Sequence, residues 1–142
     1  MQSRQKSTPK PSGRKEVVIV MGQYFRAVNL TKREYVDPWD IGGVAKLWEW
    51  CVNNQAGIFP YLLRKSSEGG GGDINQAVTK PQYAGRWAGD QVYLVGDYDE
   101  SNLFYTAKQE FTNISQPLAQ EYNDFVATKE LQLKPKLVSG FP

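Results

Sequence analysis

The spacing of apolar and polar positions changes several times along the chain. Residues 17–21 (Val-Val-Ile-Val-Met) are continuous and β-branched, the pattern of a buried strand, and Gly22 breaks or bulges it. Tyr24, Arg26, Val28 and Leu30 then alternate with Phe25, Ala27 and Asn29. Thr31-Lys32-Arg33 is a polar turn and Glu34-Tyr35-Val36 returns, so 23–37 is predicted to form a β-hairpin. Pro38 ends the return strand, because its ring removes a ladder donor. Asp37 and Asp40 around Pro38-Trp39 have the composition of a turn with a helix cap.

After Gly42-Gly43 the period lengthens. Val44, Leu47, Trp48, Cys51 and Val52 fall at i, i+3, i+4, i+7 and i+8, which predicts a helix burying one apolar stripe in the core. Ile58, Phe59, Leu62 and Leu63 repeat the spacing over a shorter helix, with Pro60 in its first turn. Residues 66–73 (SSEGGGGD) are a flexible loop by composition. Gly85-Arg86-Trp87 and residues 91–95 flank Ala88-Gly89-Asp90, predicting a second hairpin with glycine at a positive φ. Leu103-Phe104-Tyr105 is expected to add one more short strand. Ser115 as cap and Pro117 in the first turn open a last helix at about 116–129, striped by Leu118, Tyr122, Phe125 and Val126.

These elements predict one α+β domain over 17–130: an antiparallel sheet of two hairpins plus a short strand, with two to three helices packed on one face. Residues 131–142 are a tail with apolar positions at Leu137, Val138 and Phe141.

Composition narrows the chemistry. A length of 142 residues, 40% hydrophobic and 23% charged, fits one globular domain. The chain has no histidine, which removes Ser-His and Cys-His catalysis, imidazole metal ligands and the usual near-neutral switch. A single cysteine, Cys51, excludes an intramolecular disulfide framework and a multi-thiolate zinc site. Placed on the predicted buried stripe, it is expected to be inert core packing.

The net charge of +2 is unevenly spread. Residues 1–16 hold Arg4, Lys6, Lys10, Arg14 and Lys15 against Glu16, a net +4, and leave −2 on the rest. This polar, proline-containing segment is expected to be a flexible basic arm. No stretch approaches the ~20 apolar residues of a membrane span, and residues 17–21 are too short for the core of a signal peptide. A cytoplasmic protein without a membrane partner is the expectation.

Three candidate sites follow. The glycines at 69–72 lack the order of a Walker loop, since Lys65-Ser66 precedes them, and they fail the dinucleotide-binding order too. Asp97 and Asp99, with Glu100 beside them, are two residues apart, so on a strand they share a side and offer a hard cation two carboxylates. Two such carboxylates also suit acid–base work, although aspartate and glycine are equally the ordinary residues of a hairpin end. Tyr24, Arg26, Arg86 and Trp87 interleave cations with aromatics, the composition of a surface that stacks on single-stranded nucleic acid, or of cross-strand packing. The arm would supply the electrostatic part of such binding.

Three co-ordered motifs over residues 21–105 resemble a family of small prokaryotic and phage proteins. Members open with MGQYY or MGQYF, continue through NLxKxEY, a proline and a glycine-linked KLxE, and later carry GRWAGD and GDY. The matching residues here are 21–25, 29–35, Pro38, Gly42-Gly43, 46–49, 85–90 and 96–98. The resemblance implies no activity. Because the MGQY methionine usually starts such chains, it implies that residues 1–20 are an extension. Its phage members imply, by analogy alone, a host-directed or virion-associated role.

The expectation is a non-enzymatic interaction or assembly protein without cofactor. Its partner, most simply a protein complex, would be met by exposed aromatics and the arm, through Arg4, Lys6, Lys10, Arg14, Lys15, Tyr24, Arg26, Arg86 and Trp87. Two alternatives stand beside it: a carboxylate-based, metal-dependent hydrolase or nucleotide-binding enzyme at Asp97 and Asp99, and an RNA- or DNA-associated accessory protein.

Overall fold

A computed structural model describes residues 22–74 and 78–135. The arm, the predicted strand at 17–21 and residues 136–142 therefore lie outside the described residues. The described part is α+β, with a four-stranded mixed sheet and four α-helices.

Strands β1 (Phe25–Asn29) and β2 (Glu34–Val36) form the predicted first hairpin, with Val28 opposite Tyr35. Strand β3 (Val92–Gly96) lies antiparallel on the other side of β1, with Ala27 opposite Leu94. The two-residue β4 (Thr112–Asn113) runs parallel to β2, so the order is β3-β1-β2-β4 and the sheet is mixed, not wholly antiparallel. Between β2 and the first α-helix, a 3₁₀ turn, Pro38–Ile41, is capped as expected: the Asp37 carboxylate accepts the Trp39 N–H at 3.0 Å.

The expected second hairpin does not form. Gly89 does take a positive φ of 84°, but residues 85–87 dock on helix α2 (Ile58–Leu63) instead of pairing with β3. The Gly85 and Trp87 amides donate to the Tyr61 and Leu62 carbonyls at 2.8 and 2.9 Å. Those carbonyls belong to the last turn of α2, where a helix leaves acceptors unused. Leu103-Phe104-Tyr105, expected as a strand, opens helix α3 (Leu103–Glu110). Its aromatic composition favours a strand locally, yet the helical turn carries Phe104 and Ala107 together onto the sheet.

Helices cover both faces of the sheet, not one. Ala27 and Val36 face α2, helix α4 (Ser115–Val126), Trp50 and Trp87. Val28, Tyr35 and Val95 face Phe104 and Ala107 of α3. Two-sided burial explains why β1 is inaccessible from Arg26 to Asn29 whatever its alternation.

The largest correction concerns helix α1 (Leu47–Val52). Leu47, Trp48 and Val52, expected in the core, are 53%, 64% and 67% exposed, and Val44 and Cys51 are exposed as well. Trp50 faces inward instead, its indole N–H donating to the Phe25 carbonyl at 3.1 Å and its ring against Phe59. Residues two apart on a helix point about 200° apart, so Trp48 and Trp50 cannot both be inside. Trp50 is the one whose N–H finds a strand carbonyl, and a buried indole needs that partner. Gln55 holds the opposite arrangement in place: its amide accepts the Val44 N–H at 2.9 Å and donates to the Val44 carbonyl at 2.6 Å.

Candidate functional site

The segments 29–35 and 85–90 meet along the end of the first hairpin. The polar turn after β1 places Lys32 outward, and β2 turns Glu34 toward the α2–β3 connection. Asn29 and Lys32 both donate to one Asp90 oxygen, at 2.8 and 2.7 Å, and Asn29 accepts the Lys32 amide. Glu34, buried, accepts Arg86 Nε at 3.0 Å, Arg86 Nη2, and the Trp87 indole N–H at 2.9 Å. Burial would push the Glu34 carboxyl up, but the Arg86 and Trp87 hydrogen bonds and the Arg86 charge hold it below the usual range. Asp90 is likewise lowered, by Asn29 first and then Lys32.

This cluster takes Trp87 off the candidate surface and engages Arg86, whose side chain stays partly exposed. Trp87 is fully buried, so its ring cannot stack on a base, and the Arg86 fork is spent on Glu34. Arg26 is withdrawn too. It is 4% exposed, donates to the Phe104 carbonyl at 2.7 Å, lies 3.6 Å from Asp37, and stacks 3.8 Å above the Phe104 ring. Its Nε is buried without a hydrogen-bond partner, a cost that the ring contact offsets in part. Tyr24 alone of that group keeps a partly open ring, edge-on to Trp39 at 5.6 Å. Arg4, Lys6, Lys10, Arg14 and Lys15 lie outside the described residues.

The acidic turn is committed to backbone. Asp97 accepts the Tyr24 amide at 2.9 Å, joining the sheet end to the start of β1. Asp99 accepts the Ser101 amide and hydroxyl, and Ser101 in turn accepts the Leu103 amide at 3.1 Å, which opens α3. The Ser101 bonds hold the Asp99 carboxyl below its ordinary range. Among the described residues no three acidic or cysteine side chains gather as a cation cage.

Glu121 was invisible to pattern reading. From α4 it accepts the Tyr61 hydroxyl at 2.7 Å and the amides of Gln82, Tyr83 and Ala84 at 2.7–3.1 Å. It pins the loop that leads into the Arg86-Trp87 segment. No periodicity marks a lone glutamate as a loop anchor.

The exposed apolar face of α1 is the feature left over. Val44, Leu47, Trp48, Cys51 and Val52 project from one short helix and its entry, and Val44 and Val52 border a cleft of about 310 Å³ that Gly43 and Lys134 also line. Cys51 is solvent-facing, so the buried cysteine expected from the stripe is corrected.

Fold and surface together define a small α+β protein whose internal polar clusters lock loops to the sheet and whose apolar face is turned outward. Compared with protein-family models, curated proteins and solved structures, the chain matches none. No helix among the described residues is long and apolar enough to cross a membrane.

Proposed function

We propose that this chain is a non-catalytic interaction module that docks a protein partner on the outward face of α1. The observation that carries this reading is the solvent-facing stripe centred on Trp48, 64% exposed. Contiguous exposed apolar surface marks interaction sites, and tryptophan is among the residues most enriched at binding hot spots. Six helical residues are about 9 Å long, so the partner element is short: an apolar segment of about five extended residues or two helical turns. The basic arm adds a salt-sensitive attraction to an acidic flank of that partner. The carboxylates of Asp97 and Asp99 already accept local N–H and O–H donors, which favours a turn role over hydrolysis at that site.

The test is a photo-crosslinking amino acid at position 52 of the full chain, with Trp48 kept, expressed in its native host, beside the same chain carrying Leu47→Glu. One protein cross-linked in stoichiometric yield, and lost with Leu47→Glu while the unfolding midpoint is unchanged, is the expected result. A partner retained by Leu47→Glu overturns the reading.

A further inference from the structure

We propose that the cleft between α2 and α4 binds a small organic ammonium ion, its N–H donating to the Tyr122 hydroxyl and its apolar body resting on aromatic rings. The site uses other elements than the α1 face and does not depend on it.

The cleft holds about 300 Å³, at the small end of ligand pockets. Tyr61 of α2 and Tyr122 and Phe125 of α4 line it, with ring centroids 5.2–6.4 Å apart. Gly57 lines it as well. Its φ of −64° is open to any residue, but a Cβ there would overlap the Tyr122 hydroxyl. Space, not backbone conformation, requires the glycine: it makes room for that hydroxyl at the cleft wall.

The hydroxyl carries the proposal. Tyr122 is 8% exposed, yet its O–H has no hydrogen-bond partner among the described residues. Burial is the one cause that raises its phenol. Neighbouring Tyr61, by contrast, donates to Glu121 at 2.7 Å. A buried hydroxyl left unpaired is costly, and a ligand that engages it recovers the loss.

Charge selects the ligand. Arg64 at the cleft is spent on Asp73, to which its Nε and Nη2 donate at 2.8 and 2.6 Å. Glu121 is held by a hydroxyl and three amides, neutral donors that leave its negative charge in place. The charges of Glu121 and Asp124 are both felt at Tyr61. A negative field and aromatic rings each favour a cation. The tyrosine oxygen can accept its N–H, in a bond that the charge strengthens.

Three ligands of closely matched shape test this on the full chain near neutral pH: phenethylammonium, phenethyl alcohol and phenylacetate. Binding is read from NMR shifts of the residues lining the cleft. The ammonium should bind about tenfold more tightly than either of the others. Tyr122→Phe removes only the unpartnered hydroxyl, so the fold is kept. It should weaken the ammonium about tenfold, the scale of one hydrogen bond to a charged group. Asp124→Asn, at an exposed position, should weaken the ammonium and leave the alcohol unchanged. Equal affinity for the three ligands, or tighter binding of the carboxylate, overturns the proposal. Unchanged ammonium binding in Tyr122→Phe does so too, as does the absence of shifts at the cleft with every ligand.

Discussion

At Glu34, a buried carboxylate is kept ionised by two side chains of one loop, and its depressed pKa links folding to pH. The folded value lies below the unfolded one, so the stabilisation is fully present above the ordinary glutamate value of about 4.3 and is lost as pH falls through the lowered value. Glu34→Gln should flatten the fall in the urea midpoint between about pH 5 and pH 3, measured by tryptophan fluorescence. The indole above it provides a graded test. Trp87→Phe removes a hydrogen bond to a charged group and should cost about 1.5–3 kcal/mol, while Trp87→Ala adds a cavity and should cost about 3–5 kcal/mol. A cost near zero for Trp87→Phe would mean that the N–H to Glu34 contributes nothing.

Elements here are positioned by single side chains that bridge them. Glu121 on α4 holds three consecutive amides of the loop before Gly85 and the Tyr61 hydroxyl on α2. Glu121→Ala leaves those donors unsatisfied and should cost about 1–3 kcal/mol, with hydrogen exchange accelerated at residues 82–84 and unchanged in the sheet. Burial first, and the bond to Glu121 next, push the Tyr61 phenol well above its ordinary value. It should stay protonated where exposed tyrosines ionise, near pH 10. Within α1 the two tryptophans should separate cleanly. Trp50→Ala should cost about 3–5 kcal/mol, whereas Trp48→Ala should cost no more than about 1 kcal/mol. The reverse order in denaturant melts would restore the stripe to the core.

At the scale of the whole molecule, two of the residues first read as one cationic-aromatic surface, Trp87 and Arg26, are buried. The nucleic-acid contact expected from the sequence is left with Tyr24, Arg86 and the five cations of the arm. Contacts of that kind weaken with a log–log salt slope of about −0.7 per phosphate on single strands and −0.9 on duplex. Binding to RNA or DNA should therefore be detectable only at low salt, fade by about 200 mM, and disappear when Arg4, Lys6, Lys10, Arg14 and Lys15 are all changed to alanine. Affinity that persists in that variant at high salt would require a reader on the folded body.

Local signals determined the parts whose physics is local. The 25–36 hairpin follows from alternation and a polar turn, α2 and α4 from apolar spacing with proline in the first turn, and the Asp37 cap from an aspartate ahead of Pro38. The acidic pair at 97 and 99 was legible as a turn as readily as a cation site, and its carboxylates do serve backbone. Tertiary structure decided the rest, because each remaining choice was between two locally acceptable arrangements. Trp48 and Trp50 offered α1 two apolar faces, and only the Phe25 carbonyl on β1 selected Trp50. Arg86-Trp87 had the pattern of a surface strand until the last carbonyls of α2 and the carboxylate of Glu34 drew it inward. Hydrophobic periodicity says that a face is apolar. Which face meets the core depends on partners distant in the chain, and here that choice left the α1 stripe outside.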